Sequence, residues 1–150
     1  MSDNHPGIWV LFVRKGKVFI PTMARTEAGF YMGIEPVAVL DSSDREGIQS
    51  AFLDVIRRGN PTVPTPTRAT YPPDPLLKHA KVKSASEFER LVQRWKLGRY
   101  ATEFVVTSYR PGKYGGAEED PRGRESFSEK EPIEFVVSRL LDRALGASAP

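Results

Sequence analysis

The chain has 150 residues, no cysteine and a formal net charge of +3. The missing thiols exclude disulfide bonds, thiolate nucleophiles and cysteine-ligated zinc, while 39% hydrophobic and 27% charged residues are typical of a globular protein. No apolar run approaches the roughly 18 to 20 residues that span a bilayer, and residues 1–7 (MSDNHPG) lack the basic and apolar regions of a secretory signal, so we expect a cytoplasmic protein.

The N-terminal third predicts a three-stranded meander. Residues 8–13 (IWVLFV) form a continuous apolar run, and residues 18–23 (VFIPTM) follow after a glycine-containing turn, which predicts a hairpin. Pro21 cannot donate a ladder hydrogen bond and therefore belongs at an edge or a bulge. Residues 29–32 and 36–40 read as a third strand, interrupted near Gly33.

Three helices are predicted from one repeated pattern, in which a serine and a glutamate three residues later begin the helix and a glycine ends it. The three sets are Ser43, Glu46 and Gly59; Ser84, Glu87 and Gly98; and Ser128, Glu131 and Gly146. Apolar residues at helical spacing extend over 44–58, 85–97 and 132–145. We therefore expect amphipathic helices in these three ranges.

The remaining segments predict a strap, a strand and a long loop. Residues 60–75 contain six prolines among sixteen residues, which favours an extended strap on the surface. Residues 100–109 (YATEFVVTSY) are rich in aromatic and β-branched residues and predict a strand. A short partner strand is expected near 124–127, beyond a glycine-rich loop over 110–123 that forms a hairpin loop or a mobile flap.

Together these elements predict one α+β domain over residues 1–150, with frayed tails at 1–7 and 147–150. A mostly antiparallel sheet of four to five strands packs one face against three helices. The predicted order is β-β-β-α-α-β-β-α.

The sequence offers few residues for catalysis. Only two histidines are present: His5 lies in the N-terminal tail, and His79 lies between lysines, where a partly exposed structural role is expected. Without cysteine, no set of three zinc ligands can be assembled around them. We therefore predict no enzyme activity, no cofactor and no metal site.

Charge is distributed unevenly along the chain. Residues 61–114 carry ten basic and four acidic side chains, a balance of +6, whereas residues 115–150 carry five basic and eight acidic ones, a balance of −3. Basic and aromatic residues alternate near Trp95 and Tyr109, so one hypothesis is a nucleic-acid-binding module that uses the 61–114 segment. However, Trp95 shares the predicted apolar stripe with Phe88 and Leu91, and no known nucleic-acid-binding signature is present.

The dense acidic cluster of the chain lies in the predicted 110–123 loop. Three roles are open for it: binding of a divalent cation, contact with a basic partner, or a solvated turn. The loop combines this cluster with aromatic and basic side chains, which is the combination expected of a protein-binding surface. The candidate partner-binding residues are Tyr109, Arg110, Lys113, Tyr114, Glu118, Glu119 and Asp120.

The segment IWVLFVRKGKVFIPTMARTEAGFYMGIEPV, followed by a capped helix and the strap GNPTVPTPTR, resembles immunity proteins of contact-dependent growth inhibition and related bacterial polymorphic toxin systems. The resemblance covers about the first half of the chain. It implies a small cytosolic protein that neutralises a cognate toxin domain, for example a nuclease, by stoichiometric occlusion of the active site. Immunity proteins against nucleases tend to be acidic, whereas this chain has a pI near 9.3, so its partner would present an acidic face or meet the local acidic cluster.

Overall fold

The computed structural model describes residues 5–112 and 117–146. They form seven strands and four helices: β1 (Gly7–Arg14), β2 (Lys17–Thr26), β3 (Tyr31–Asp41), α1 (Arg45–Arg58), β4 (Thr62–Val63), α2 (Pro75–Ala80), α3 (Ala85–Glu89), β5 (Val92–Arg99), β6 (Glu103–Pro111), β7 (Ala117–Ser128) and α4 (Ile133–Gly146). No helix in these two ranges is long and apolar enough to cross a membrane.

Six strands form one antiparallel sheet in the order β3-β2-β1-β5-β6-β7, and the two-residue β4 pairs in parallel with β2. Each half is a meander of neighbouring strands, and the two halves join where β1 pairs with β5 along its full length, from Gly7 opposite Arg99 to Arg14 opposite Val92. The predicted α+β class with a mostly antiparallel sheet is confirmed.

Helices lie on both faces of the sheet because β1 is apolar on both sides. We call the side of the sheet that α1 and α4 cover the helix face. Trp9 lies on this side, and its indole N–H donates to the Gly59 carbonyl at 3.4 Å. On the opposite side, here called the cleft face, the ring of Phe12 meets the ring of Phe88 in α3 edge to face at 5.6 Å. The core therefore extends through the sheet rather than lying on one side of it.

The first and last predicted helices are confirmed to within one residue, and Gly59 ends α1 with a positive φ of 73°. The capping residue of α1 differs from the prediction. Asp44, not Ser43, accepts the backbone N–H of Gly47 at 3.0 Å, since its carboxylate lies one position closer to the first turn.

The predicted helix over 85–97 is wrong. Helix α3 ends at Glu89, and β5 begins at Val92, in the middle of the sheet. Trp95 and Leu97 are buried at the two-residue spacing of a strand, whereas Leu91, predicted to be on the apolar stripe, is 59% exposed. Pairing of this segment with β1 on one side and β6 on the other outweighs its local helical pattern.

The predicted 110–123 loop is also wrong for most of its length. Strand β6 extends to Pro111, and β7 starts at Ala117, so the predicted partner strand at 124–127 is only the C-terminal part of a twelve-residue strand. The sequence also missed α2, which Asp74 caps by accepting the Leu76 N–H at 2.9 Å, with Pro75 in the first turn. Over residues 5–112 and 117–146 the sheet accordingly has seven strands instead of four to five, and there are four helices instead of three.

Asn60, the first residue of the predicted strap, joins β1 to β2 at Ile8 and Met23, where these two strands do not pair directly with each other. Its carboxamide accepts the Ile8 N–H at 3.1 Å and donates to the carbonyls of Ile8 at 2.8 Å and Met23 at 2.9 Å. The β1–β2 pairs run from Phe12 opposite Phe19 to Arg14 opposite Lys17. The register of β2 with β3 shifts between Pro21 and Thr22, where the sequence predicts an edge or a bulge. Asn60 thus replaces backbone hydrogen bonds between β1 and β2.

Of the predicted tail residues, Gly7 is paired in the sheet, and the Tyr31 hydroxyl hydrogen-bonds to the Pro6 carbonyl. Residues 147–150 of the predicted C-terminal tail lie outside the described ranges.

Candidate functional site

The predicted partner-binding residues lie on a two-stranded hairpin at one edge of the sheet. Tyr109 pairs with Glu119 and Arg110 pairs with Glu118 between β6 and β7. The ladder between β5 and β6 stops at Ser108, so the hairpin end is paired only within itself over the described part of the chain. We call residues 109–112 and 117–120 the hairpin end.

The acidic cluster is divided between the two sides of β7, because successive side chains of a strand point in opposite directions. The Glu119 carboxylate lies 3.2 Å from the Lys96 ammonium. The Arg110 guanidinium lies 3.1 Å from the Glu118 carboxylate and 3.8 Å from that of Asp120. This separation disfavours a shared cation site, and no group of three potential ligands is found in the described ranges.

Asp120 on the hairpin end and Lys96 on the neighbouring strand β5 have shifted pKa values. Hydrogen bonds from the Arg122 side chain and backbone, with Arg110 nearby, hold the pKa of Asp120 below its ordinary value. Burial lowers the pKa of Lys96, but the neighbouring Tyr109 and Glu119 raise it by more, so the net direction is upward. Both shifts favour the charged forms, so the hairpin end carries closely spaced charges of both signs at neutral pH.

Of the seven predicted residues, the structure places Tyr109, Arg110, Glu118, Glu119 and Asp120 together on the hairpin end. The remaining two, Lys113 and Tyr114, lie outside the described residues.

A cleft of about 330 Å³ opens beside the hairpin end, on the cleft face of the sheet. Its floor is made by apolar side chains of β1 and β2, and the proline-rich segment before α2 forms one wall. Residues that define its chemistry are Val10, Phe12, Met23, Tyr31, Tyr71, Arg94 and Tyr109. Tyr109, Arg110 and Ala117 of the hairpin end line the cleft, so the hairpin end adjoins it, with Glu118 and Asp120 on the other side of β7 from Glu119.

Arg94 lies at this cleft but is not among the predicted partner-binding residues; the sequence placed it only in the basic and aromatic stretch considered for nucleic-acid binding. Its guanidinium lies 5.5 Å from the ring centre of Phe12 and 4.7 Å from that of Tyr109, on the cleft wall. Its Nε is buried and has no hydrogen-bond partner in the described structure. The predicted helix over 85–97 would place Arg94 among solvated charges. In a strand, by contrast, Trp95 and Leu97 point to one side and Arg94 to the other. The two-residue spacing of Trp95 and Leu97 is therefore the signal that could have identified the position of Arg94.

His79 has an acidic partner that the sequence did not predict. Its Nε2 lies 3.0 and 3.1 Å from the two carboxylate oxygens of Glu35 in β3. This hydrogen bond lowers the pKa of Glu35. The His79 side chain is 26% exposed, so the prediction of a partly exposed histidine is confirmed, and the pair connects α2 to β3.

The basic residues of the 61–114 segment do not share one surface. Arg94 and Lys96 lie on the cleft face, whereas Arg99 lies over the ring of Trp9 on the helix face at 5.4 Å. Lys96 and Arg110 are paired with carboxylates of β7. The charge of +6 is therefore divided between both sides of the sheet, and this division gives little support to a phosphate-binding track.

The fold and this surface define an α+β protein with a charged edge hairpin next to an apolar cleft. No family model and no curated protein matches the sequence. Among solved structures, the chain is similar to a protein of unknown function, NMB0488, from Neisseria meningitidis. The two share 11% identity at a TM-score of 0.65, over 99% of this chain and 97% of the other. This likeness shows a shared fold.

Proposed function

We propose that this chain is a cytoplasmic immunity protein, which neutralises a cognate toxin domain by binding it stoichiometrically and occluding its active site. The observation that carries the proposal is that the hairpin end adjoins the apolar cleft. Protein interfaces commonly place aromatic and arginine anchors at the centre and charged groups around them. Tyr109 and Arg94 would supply the anchors, and the carboxylates of β7 the charged margin.

The ion pairs of the hairpin end are suited to exchange with a partner. Arg110 and Glu118 are 44% and 49% exposed in their side chains, and such surface pairs contribute only about 0 to 1 kcal/mol. A basic surface on the toxin could therefore take over the contacts of Glu118, Glu119 and Asp120 at little cost. Complementary charge would also accelerate encounter between the two proteins.

The test is charge reversal on the hairpin end. Glu118→Lys, Glu119→Lys and Asp120→Lys are combined in one variant. Because the immunity proteins that this chain resembles are encoded beside their toxins, the partner tested is the protein encoded by the gene directly upstream of this one. Its affinity for the variant is measured by calorimetry. We expect a loss of about tenfold or more, because like charges would face each other across the interface.

A matched control carries the same change in charge elsewhere. Glu129→Lys and Glu131→Lys alter exposed acids between β7 and α4, and Glu134→Lys alters an exposed acid in the first turn of α4. This variant is expected to bind within a few-fold of wild type. Circular dichroism is recorded to check that both variants are folded. Equal affinity of the hairpin variant and the wild type would remove the hairpin end from the interface.

A further inference from the structure

We propose that the cleft binds a small aromatic carboxylate, with Arg94 as the group that recognises the anion. The site is the cleft that also forms part of the proposed toxin interface, with Arg94 in both, but ligand binding is tested on the chain alone and does not depend on the proposed function. The volume of about 330 Å³ lies at the lower end of the range of ligand pockets, which suits one ring system carrying a short acidic side chain.

The surroundings of the Arg94 guanidinium indicate that the ligand is an anion. Its guanidinium is held between the rings of Phe12 and Tyr109, and no carboxylate is paired with it in residues 5–112 and 117–146. Its buried Nε has no acceptor there. A buried donor without a partner is costly, and a carboxylate is the ligand that the planar guanidinium fork fits best, through two parallel hydrogen bonds.

The other charged groups near the cleft already have a hydrogen-bond or ion-pair partner, or are exposed to solvent. The Asp74 carboxylate accepts the Leu76 N–H at the start of α2, and Glu89 is an exposed residue at the end of α3. Lys96 is paired with Glu119. Arg94 is therefore the group at the cleft wall that has a buried donor without an acceptor in the described residues.

The aromatic character of the ligand follows from the rest of the lining. Phe12 and Met23 lie in the apolar floor, and Tyr31 and Tyr71 stand at the walls. Tyr71 is 58% exposed, although it is a large hydrophobic side chain. A flat ring bound in the cleft would stack on these side chains and cover part of Tyr71.

The experiment compares an acid with its neutral isostere. The wild-type protein is titrated with indole-3-acetate and, separately, with indole-3-acetamide, and binding is followed by amide chemical shifts in NMR. We expect saturable shifts at Phe12, Met23 and Arg94, and about tenfold tighter binding of the acid, since only the acid can form the charged pair with Arg94.

Two variants test whether Arg94 causes the preference for the acid over the amide and whether Tyr71 contacts the ring of the ligand. Arg94→Met keeps a long side chain but removes the charge, and it should bind the acid and the amide equally. Tyr71→Ala alters an exposed position, so the fold is retained, and both ligands should bind several-fold more weakly. Arg124→Met, an exposed position on β7, is the matched control and should behave as wild type.

The proposal is overturned by wild-type affinities for acid and amide that agree within twofold, or by the absence of saturable shifts at millimolar ligand. If Arg94→Met does not fold, the acid–amide comparison in the wild type and in Tyr71→Ala still decides between these outcomes.

Discussion

Asn60→Ala is expected to destabilise the protein more than any ordinary surface substitution. The carboxamide makes three hydrogen bonds of 2.8 to 3.1 Å with the backbones of Ile8 and Met23. Each contributes about 0.5 to 1.5 kcal/mol net, so we expect the free energy of unfolding to fall by about 3 kcal/mol. For a chain of this size that corresponds to a decrease in Tm of roughly 6 to 12 °C.

The assay is urea and thermal unfolding followed by circular dichroism. Asn60→Asp retains the acceptor for the Ile8 N–H but places a carboxylate beside two carbonyl oxygens, so its loss of stability should equal or exceed that of Asn60→Ala. Ser50→Ala, at an exposed position in α1, serves as the control and should change stability by less than about 0.5 kcal/mol. A loss below about 1 kcal/mol for Asn60→Ala would refute the idea that this side chain joins β1 to β2.

Two further predictions concern the hairpin and α2. A Cβ at Gly123 would lie 1.7 Å from the Ser108 Oγ and 2.8 Å from its Cβ, so Gly123→Ala should lower stability by about 1 to 3 kcal/mol in urea unfolding, and a neutral effect would contradict this packing. His79→Ala should raise the pKa of Glu35 towards its ordinary value, as measured by NMR titration of the carboxyl carbon; an unchanged pKa would show that the hydrogen bond does not cause the shift. Because the pKa of Glu35 is lowered in the folded protein, the pair stabilises the fold above the ordinary pKa of the carboxyl, and this contribution disappears as the pH falls through the folded value. The variant should therefore lose less stability than wild type on acidification.

The elements predicted correctly are those whose pattern is strong over a short stretch. Residues 8–13 and 18–23 are apolar runs around a tight turn, and residues 44–58 and 132–145 repeat apolar side chains at helical spacing. In each case local preference and tertiary burial agree, so the sequence pattern is sufficient.

The errors occur where distant pairing decides the structure. Residues 92–97 carry Trp95 and Leu97 two positions apart, which fits a strand, but Phe88 and Leu91 extend the spacing of a helix. Only the neighbouring strands β1 and β6 resolve this ambiguity. Because Arg94 lies within this stretch, the same error concealed the positive charge at the cleft wall.

The candidate site was also predicted only in part: residues of the hairpin end were identified from the sequence, but their geometry was not. The composition of residues 109–120 indicated a charged surface with aromatic groups, and the described members of that set lie together on the hairpin end. Its strand geometry was missed because glycine and proline residues suggested a loop, whereas cross-strand pairs such as Arg110 with Glu118 extend the ladder. The cleft could not be predicted, since residues from six strands and the proline-rich segment converge to form it.

The stoichiometry of inhibition tests the central proposal most directly. The protein encoded by the gene directly upstream of this one, taken as the candidate toxin, is held at a fixed concentration far above the dissociation constant, and its remaining activity is measured as the purified chain is added. Occlusion predicts a linear fall that reaches zero at one equivalent. Full activity at several equivalents, or complete inactivation by a small fraction of an equivalent, would contradict a role as a stoichiometric inhibitor.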